Sequence, residues 1–242
     1  MKSLSVLVVD DDAGFAEGLS DLIRFYGHSV QHAVDADAAI AAVKNAFFDL
    51  VFLDVRMPGK SGLEAYPQIR NASPRTCIVF ATAFMDDLDR QSNRQVMHAD
   101  LLEKPRGISR LDKVLRRVAG EFEVLLVGAD ADVRELHQAL RHRGYQVLTA
   151  NSVDAATSVV TSAVGEKVAA IVGYSRFAGS SLDALDAELE SLGMTLPIIS
   201  VADPSGCDQL SSKPTRVQRL SREASLYDIL ESVDRGAELF VV

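Results

Sequence analysis

The chain alternates short β-branched runs with longer segments in which apolar residues recur every three or four positions. This alternation predicts a parallel sheet with helices on both faces, because each strand must be covered on two sides and each crossover helix on one. Leu4-Ser5-Val6-Leu7-Val8-Val9 reads as the first strand. Phe15, Leu19, Leu22, Ile23 and Tyr26 mark the apolar stripe of a helix over about 13–26, ended by Gly27. Further strands are expected near 28–33, 49–53, 76–81 and 99–102, and helices near 36–45, 62–71, 86–96 and 109–120.

The pattern then starts again. Glu123-Val124-Leu125-Leu126-Val127 repeats Ser5-Val6-Leu7-Val8-Val9, and Leu136, Leu140, Gly144, Val147 and Ala150 fall where Leu19, Ile23, Gly27, Val30 and Ala33 fell. Ile171-Val172-Gly173 aligns with Phe52-Leu53-Asp54, and Pro197-Ile198-Ile199-Ser200 with Cys77-Ile78-Val79-Phe80. A repeat on this scale sets the architecture: an α/β chain with two doubly wound parallel-sheet domains in tandem, residues 1–120 and 121–242. The junction Ala119-Gly120-Glu121-Phe122 has no Pro- or Ser-rich linker, which predicts that the domains are held close together.

Charge narrows the partners. The net charge is −9, with −2 in residues 1–121 and −7 in residues 122–242, which argues against a general nucleic-acid surface or an anionic membrane as the main partner. Cys77 and Cys207, one per half, suit a reducing compartment and small buried side chains. No apolar run approaches the ~20 residues of a membrane span, so a cytoplasmic location is expected.

In a doubly wound sheet, ligands bind beyond the carboxyl ends of the strands where the chain order reverses. Asp10, Asp11 and Asp12 end the first strand, Asp54 the third and Thr82 the fourth, and Lys104 follows the fifth. Carboxylates converging on one edge repel unless a cation neutralises them, which implies a hard divalent ion. Mg2+ suits a site with few carboxylates and several waters. Asp12, just before a helical run, reads as an N-cap.

These motifs, Val8-Val9-Asp10-Asp11-Asp12, Leu53-Asp54-Val55-Arg56-Met57-Pro58-Gly59 with Gly62, Ala81-Thr82-Ala83 and Glu103-Lys104-Pro105, resemble the receiver domain of bacterial two-component response regulators. The resemblance spans residues 1 to about 120 and implies a flavodoxin-like (βα)5 fold. It implies that Asp54 accepts a phosphoryl group from a histidine kinase or phosphotransfer protein. Asp11 would ligate Mg2+ directly together with Asp54 and the backbone carbonyl of Arg56, Asp10 would act through water, and Thr82 and Lys104 would contact the phosphoryl oxygens. Two departures stand out. Leu101 occupies the switch position where receivers usually carry Tyr or Phe, and Arg56 and Phe84 flank the phosphoryl site.

The second copy resembles a receiver in fold pattern only. Gly128 and Ala129 align with Asp10 and Asp11, Gly173 with Asp54, Ala202 with Thr82 and Arg219 with Lys104, so a degenerate pseudo-receiver without a phosphoacceptor is expected. Asp130 and Asp132 suit the first turn of a helix. Arg106, Arg110, Lys113, Arg116 and Arg117 read as a solvated helix face, with a contact to the acidic second domain as the main rival. The five histidines show no metal-ligand spacing. The function expected is a phosphorylatable switch rather than an enzyme, with a kinase or phosphotransfer protein and a downstream protein as partners and homodimerisation left open. Two alternatives stand beside it: the sensory part of a larger transcription regulator or cyclase, and a Mg2+-dependent phosphatase. The phosphatase is disfavoured by Arg56, which stands where a general acid would be needed.

Overall fold

The structure is a computed structural model that describes residues 2–83, 99–128, 130–162, 167–174, 176–177, 180–201, 217–220 and 224–239. The helix expected near 86–96, Phe84, Ala129, Ala202, Cys207 and the side chains of Asp130 and Asp132 lie outside the described residues. The chain divides into two compact units, Met1–Glu121 with His142–Gly144, and Phe122–Arg141 with Tyr145–Val242.

The first unit runs β1 (Ser5–Val9), α1 (Ala13–Phe25), β2 (Ser29–Ala33), α2 (Ala36–Asn45), β3 (Leu50–Asp54), α3 (Gly62–Ala72), β4 (Cys77–Thr82) and β5 (Asp100–Glu103). A 3-10 turn over Arg106–Arg110 then leads into α4 (Leu111–Val118). The last helix, expected over 109–120, is therefore split into two kinds of turn. All four strand pairings are parallel, in the order β2-β1-β3-β4-β5.

Period-two alternation along the strands builds two cores, one on each face of the sheet. Leu7, Val9, Val51, Leu53, Ile78 and Phe80 pack with Ile40 and Val43 of α2 and Ile69 of α3. Their neighbours Val6, Val8, Leu50, Phe52 and Val79 pack with Leu19 and Ile23 of α1 and Val114 and Leu115 of α4. On α1 the buried stripe is Ala16, Leu19, Ser20 and Ile23. Leu22 and Tyr26, expected in it, are partly exposed, because they lie one step around the helix from that stripe.

The second unit repeats the layout with β6 (Glu123–Val127), α5 (Asp130–His142), β7 (Gln146–Ala150), α6 (Val153–Thr161) and β8 (Val168–Tyr174). A short antiparallel pair follows, β9 (Arg176–Phe177) and β10 (Ser180–Ser181), then α7 (Leu182–Ser191), β11 (Ile198–Val201), β12 (Val217–Leu220) and α8 (Leu226–Leu239). Its five-stranded sheet, β7-β6-β8-β11-β12, is again all parallel. Both sheets thus have the doubly wound flavodoxin-like strand order.

Strand register corrects two sequence alignments. A register shift between Glu123 and Val124 sets Val127 opposite Gly173, just as Val9 lies opposite Leu53, so Tyr174 and not Gly173 occupies the rung of Asp54. On the outer strand Arg219 lies opposite Ser200, the rung of Leu101, three residues short of the position of Lys104. Its guanidinium pairs with Asp183. A one-residue irregularity in pairing is invisible to an alignment of apolar runs.

The cationic run on α4 is also not a uniformly solvated face. Arg117 is buried beside Val114 and pairs with Asp100, the first residue of β5, while Arg116 pairs with Glu121 at 2.7 Å. Burial alone would raise the Asp100 carboxyl, but the guanidinium groups of Arg117 and Arg143, in the same unit, hold it well below the usual carboxylate range. Among the described residues no helix is long and apolar enough to cross a membrane. Because Asp100→Asn strips the neutralising carboxylate from a buried guanidinium, it is expected to lower the unfolding free energy by about 3–5 kcal/mol, read by urea denaturation.

Candidate functional site

In the first unit β1 and β3 are central neighbours, and the chain leaves β1 toward one edge of the sheet and leaves β3 toward the other. The crevice beyond their carboxyl ends is the switch point of the fold. Asp10 directly follows β1 and is 1% exposed, and Asp54 closes β3 and is 8% exposed. One oxygen each from Asp10, Asp11 and Asp54 lies within 4.8 Å of the others.

A cation reaches this cluster from the fifth strand. Thr82 pairs with Glu103 in register, and the next backbone N–H, that of Lys104, donates to the Thr82 carbonyl at 2.8 Å. The Lys104 ammonium then donates to Asp10 Oδ2 at 2.5 Å and lies 2.9 Å from Asp54 Oδ2. Burial raises the Asp10 carboxyl above its ordinary value, and the bond from Lys104 opposes that rise without cancelling it. Thr82 is wholly buried at the end of β4.

The surrounding backbone is shaped for close approach. The Asp12 carboxylate caps α1, accepting from the backbone N–H groups of Gly14 at 2.9 Å and Phe15 at 3.2 Å, as the N-cap reading expected. Ser61 and Glu64 form a reciprocal capping box at the start of α3. A Cβ on Gly62 would stand 2.0 Å from the Asp54 carbonyl oxygen, so only glycine lets α3 start this close to the end of β3.

The structure therefore brings Asp10, Asp11, Asp54 and Lys104 into one pocket. Arg56 is exposed, and its N–H points to Asp54 Oδ1 at 3.4 Å, a long contact. Leu101 packs against the core on the α2 and α3 side. Two neighbours escaped the sequence reading. The Nε2–H of His32 donates to the Asp10 carbonyl at 2.9 Å, and the Lys104 ammonium lies 4.4 Å from the centre of the Phe15 ring. Phe15 was legible only as one more apolar residue of α1.

The sequence profile described as the response regulator receiver domain matches residues 6–116. Residues 6–116 form a receiver domain. Receiver domains are signalling modules of two-component systems that interact with histidine kinases and bind Mg2+ at an acidic pocket, and Asp10, Asp11 and Asp54 form an acidic cluster here whose oxygens could hold a metal ion. The chain is 31% identical over 115 residues to the transcriptional regulatory protein DltR of Streptococcus agalactiae, a match covering 48% of this chain and 50% of DltR. It is 30% identical over 155 residues to the probable transcriptional regulatory protein TcrX of Mycobacterium tuberculosis, covering 64% of this chain and 66% of TcrX. The chain thus spans from half to about two-thirds of the length of these relatives.

Among solved structures, the chemotaxis protein CheY4 of Vibrio cholerae is similar with a TM-score of 0.44 and 29% identity, over 48% of this chain and 98% of CheY4. The response regulator TrrA of Thermotoga maritima, solved in complex with Mg(2+)-BeF, gives 0.43 and 27% over 47% of this chain and 97% of TrrA.

The receiver domain is the one place among the described residues where three potential metal ligands gather. In the second unit Gly128 stands at the position of Asp10, its N–H donating to Ala150 as that of Asp10 donates to Ala33, and Tyr174 stands at the position of Asp54.

The raised Asp10 carboxyl generates a prediction. A carboxyl whose folded pKa exceeds its unfolded value favours the fold fully below the unfolded value, about 3.9, and loses that contribution as pH rises through the folded value. Asp10→Asn, neutral at every pH, is therefore expected to raise the thermal midpoint of the metal-free protein at pH 7, with the advantage shrinking toward pH 4. Scanning calorimetry in a chelator checks the sign.

Proposed function

We propose that this chain is a response regulator of a two-component phosphorelay in which Asp54 accepts the phosphoryl group. The observation that carries this reading is the convergence of Asp10, Asp11, Asp54 and Lys104 at the switch point of the sheet. An Asp54 carboxylate oxygen forms a bond to phosphorus as the bond to the donor's leaving group breaks. With a phosphohistidine donor the electron pair goes to the imidazole nitrogen, which takes up a proton. No further acid or base is needed, because the task of the protein is to position the phosphoryl group and neutralise charge on its oxygens.

Lys104 leaves the carboxylates for the new phosphoryl oxygens, and Thr82 donates a hydrogen bond to one of them. The all-oxygen set of Asp10, Asp11 and Asp54 fits a hard divalent cation. Asp11, Asp54 and the Arg56 carbonyl would hold it, with Asp10 acting through water. Bound there, Mg2+ would supply positive charge beside the equatorial oxygens. The chain works in the cytoplasm, with a histidine kinase or phosphotransfer protein upstream and a protein target downstream.

The second unit acts as a degenerate receiver-like domain, by contact rather than by phosphotransfer. The same strand order with glycine and tyrosine at the acidic positions supports that reading. A second reading, the sensory part of a larger transcription regulator, is favoured by the names of DltR and TcrX.

Incubation with a small acyl-phosphate donor and Mg2+ is expected to add one acid-stable, base-labile phosphoryl group that Asp54→Asn abolishes. Persistent labelling of that variant refutes the assignment. In a Mg2+ titration Asp11→Asn is expected to weaken binding about tenfold or more, at least as much as loss of an outer-shell partner costs. Lys104→Ala leaves Mg2+ affinity unchanged or tighter, since a competing positive charge is removed.

A further inference from the structure

The Lys104 ammonium has surroundings of two kinds. Asp10 Oδ2 at 2.5 Å and Asp54 Oδ2 at 2.9 Å take its hydrogen bonds, while the Phe15 ring lies 4.4 Å from the nitrogen, measured to the ring centre. The lysine side chain is only 11% exposed, so the ring occupies space that water would otherwise take around the ammonium. A benzene face attracts a cation through its quadrupole, more strongly where the cation is desolvated. It also offers no lone pair that could outcompete a phosphate oxygen for an N–H.

The ring is held in place by local structure. Phe15 lies in the first turn of α1, and its backbone N–H donates to the capping carboxylate of Asp12. The cap that starts the helix therefore also anchors the residue whose ring meets Lys104.

We infer that Phe15 is a positioning residue for phosphotransfer, its ring holding the Lys104 ammonium at the pocket while leaving its N–H groups available to the incoming phosphoryl oxygens. This rests on the reading of Asp54 as phosphoacceptor. It predicts that weakening the ring's negative face loosens the lysine and slows phosphorylation, even where the shape of the side chain is kept.

The test compares Phe15→Leu, Phe15→Tyr and a series with one, two and three ring fluorines at position 15. Two quantities are read in the full chain. Exchange of the Lys104 ammonium protons with water is followed by 1H–15N NMR in the unphosphorylated protein, and the rate of phosphoryl uptake is measured with an acyl-phosphate donor. Ammonium exchange is expected to rise and uptake to fall by roughly twofold to thirtyfold in Phe15→Leu. The fluorinated series is expected to step through that range, and Phe15→Tyr to stay near the unsubstituted protein.

Wild-type values in both Phe15→Leu and the trifluorinated protein overturn the inference. So does a change in Phe15→Leu with none along the fluorinated series, since bulk alone would then hold the lysine. If the unsubstituted protein takes up no phosphoryl group, the phosphoacceptor reading fails, while ammonium exchange still decides whether the ring holds Lys104.

Discussion

Three carboxylates at one edge of a parallel sheet repel one another, and the pocket exists because a single ammonium is delivered among them. Lys104 bridges Asp10 and Asp54 from the far side of β4. Without a cation there, ionising Asp10 would carry its burial cost and the field of Asp54 unrelieved. Even with Lys104 in place, burial keeps the Asp10 carboxyl above its ordinary value. A divalent cation among these oxygens would add positive charge and relieve the cost of ionising Asp10.

The scaffold that creates this tension carries none of it itself. Two apolar layers, one on each face of the first sheet, fix the strand order, and the strand order brings the ends of β1 and β3 together. The second unit builds the same five-stranded order from its own two apolar clusters, yet Gly128 and Tyr174 stand where Asp10 and Asp54 would be. Burial of alternating side chains is thus sufficient for the fold, and the chemistry is an addition at strand ends that the fold tolerates but does not require.

Local pattern made much of this legible. Alternation in Val6-Leu7-Val8-Val9 and Leu50-Val51-Phe52-Leu53 marks strands buried on both faces, Asp12 marks a helix start, and the order of acidic, threonine and lysine motifs marks four strand ends. These signals lie within a few residues of one another along the chain, where backbone period and capping chemistry act directly. The parts that stayed hidden depend on residues far apart. Arg117 looked like one cation of a solvated stripe, and only the docking of α4 against the sheet buries it on Asp100.

The sequence by itself determined the alternation of elements, the repeat and the identity of the groups at the first sheet's carboxyl edge. Tertiary structure alone decided that the shift beside Val124 moves Tyr174 to the rung of Asp54, and that Phe15 faces the ammonium of Lys104. It also decided that Lys104 reaches Asp10 across 94 residues of chain. Periodicity specifies which face a side chain takes. It does not specify which residue of a distant strand lies opposite, because that register is set by packing of the whole sheet.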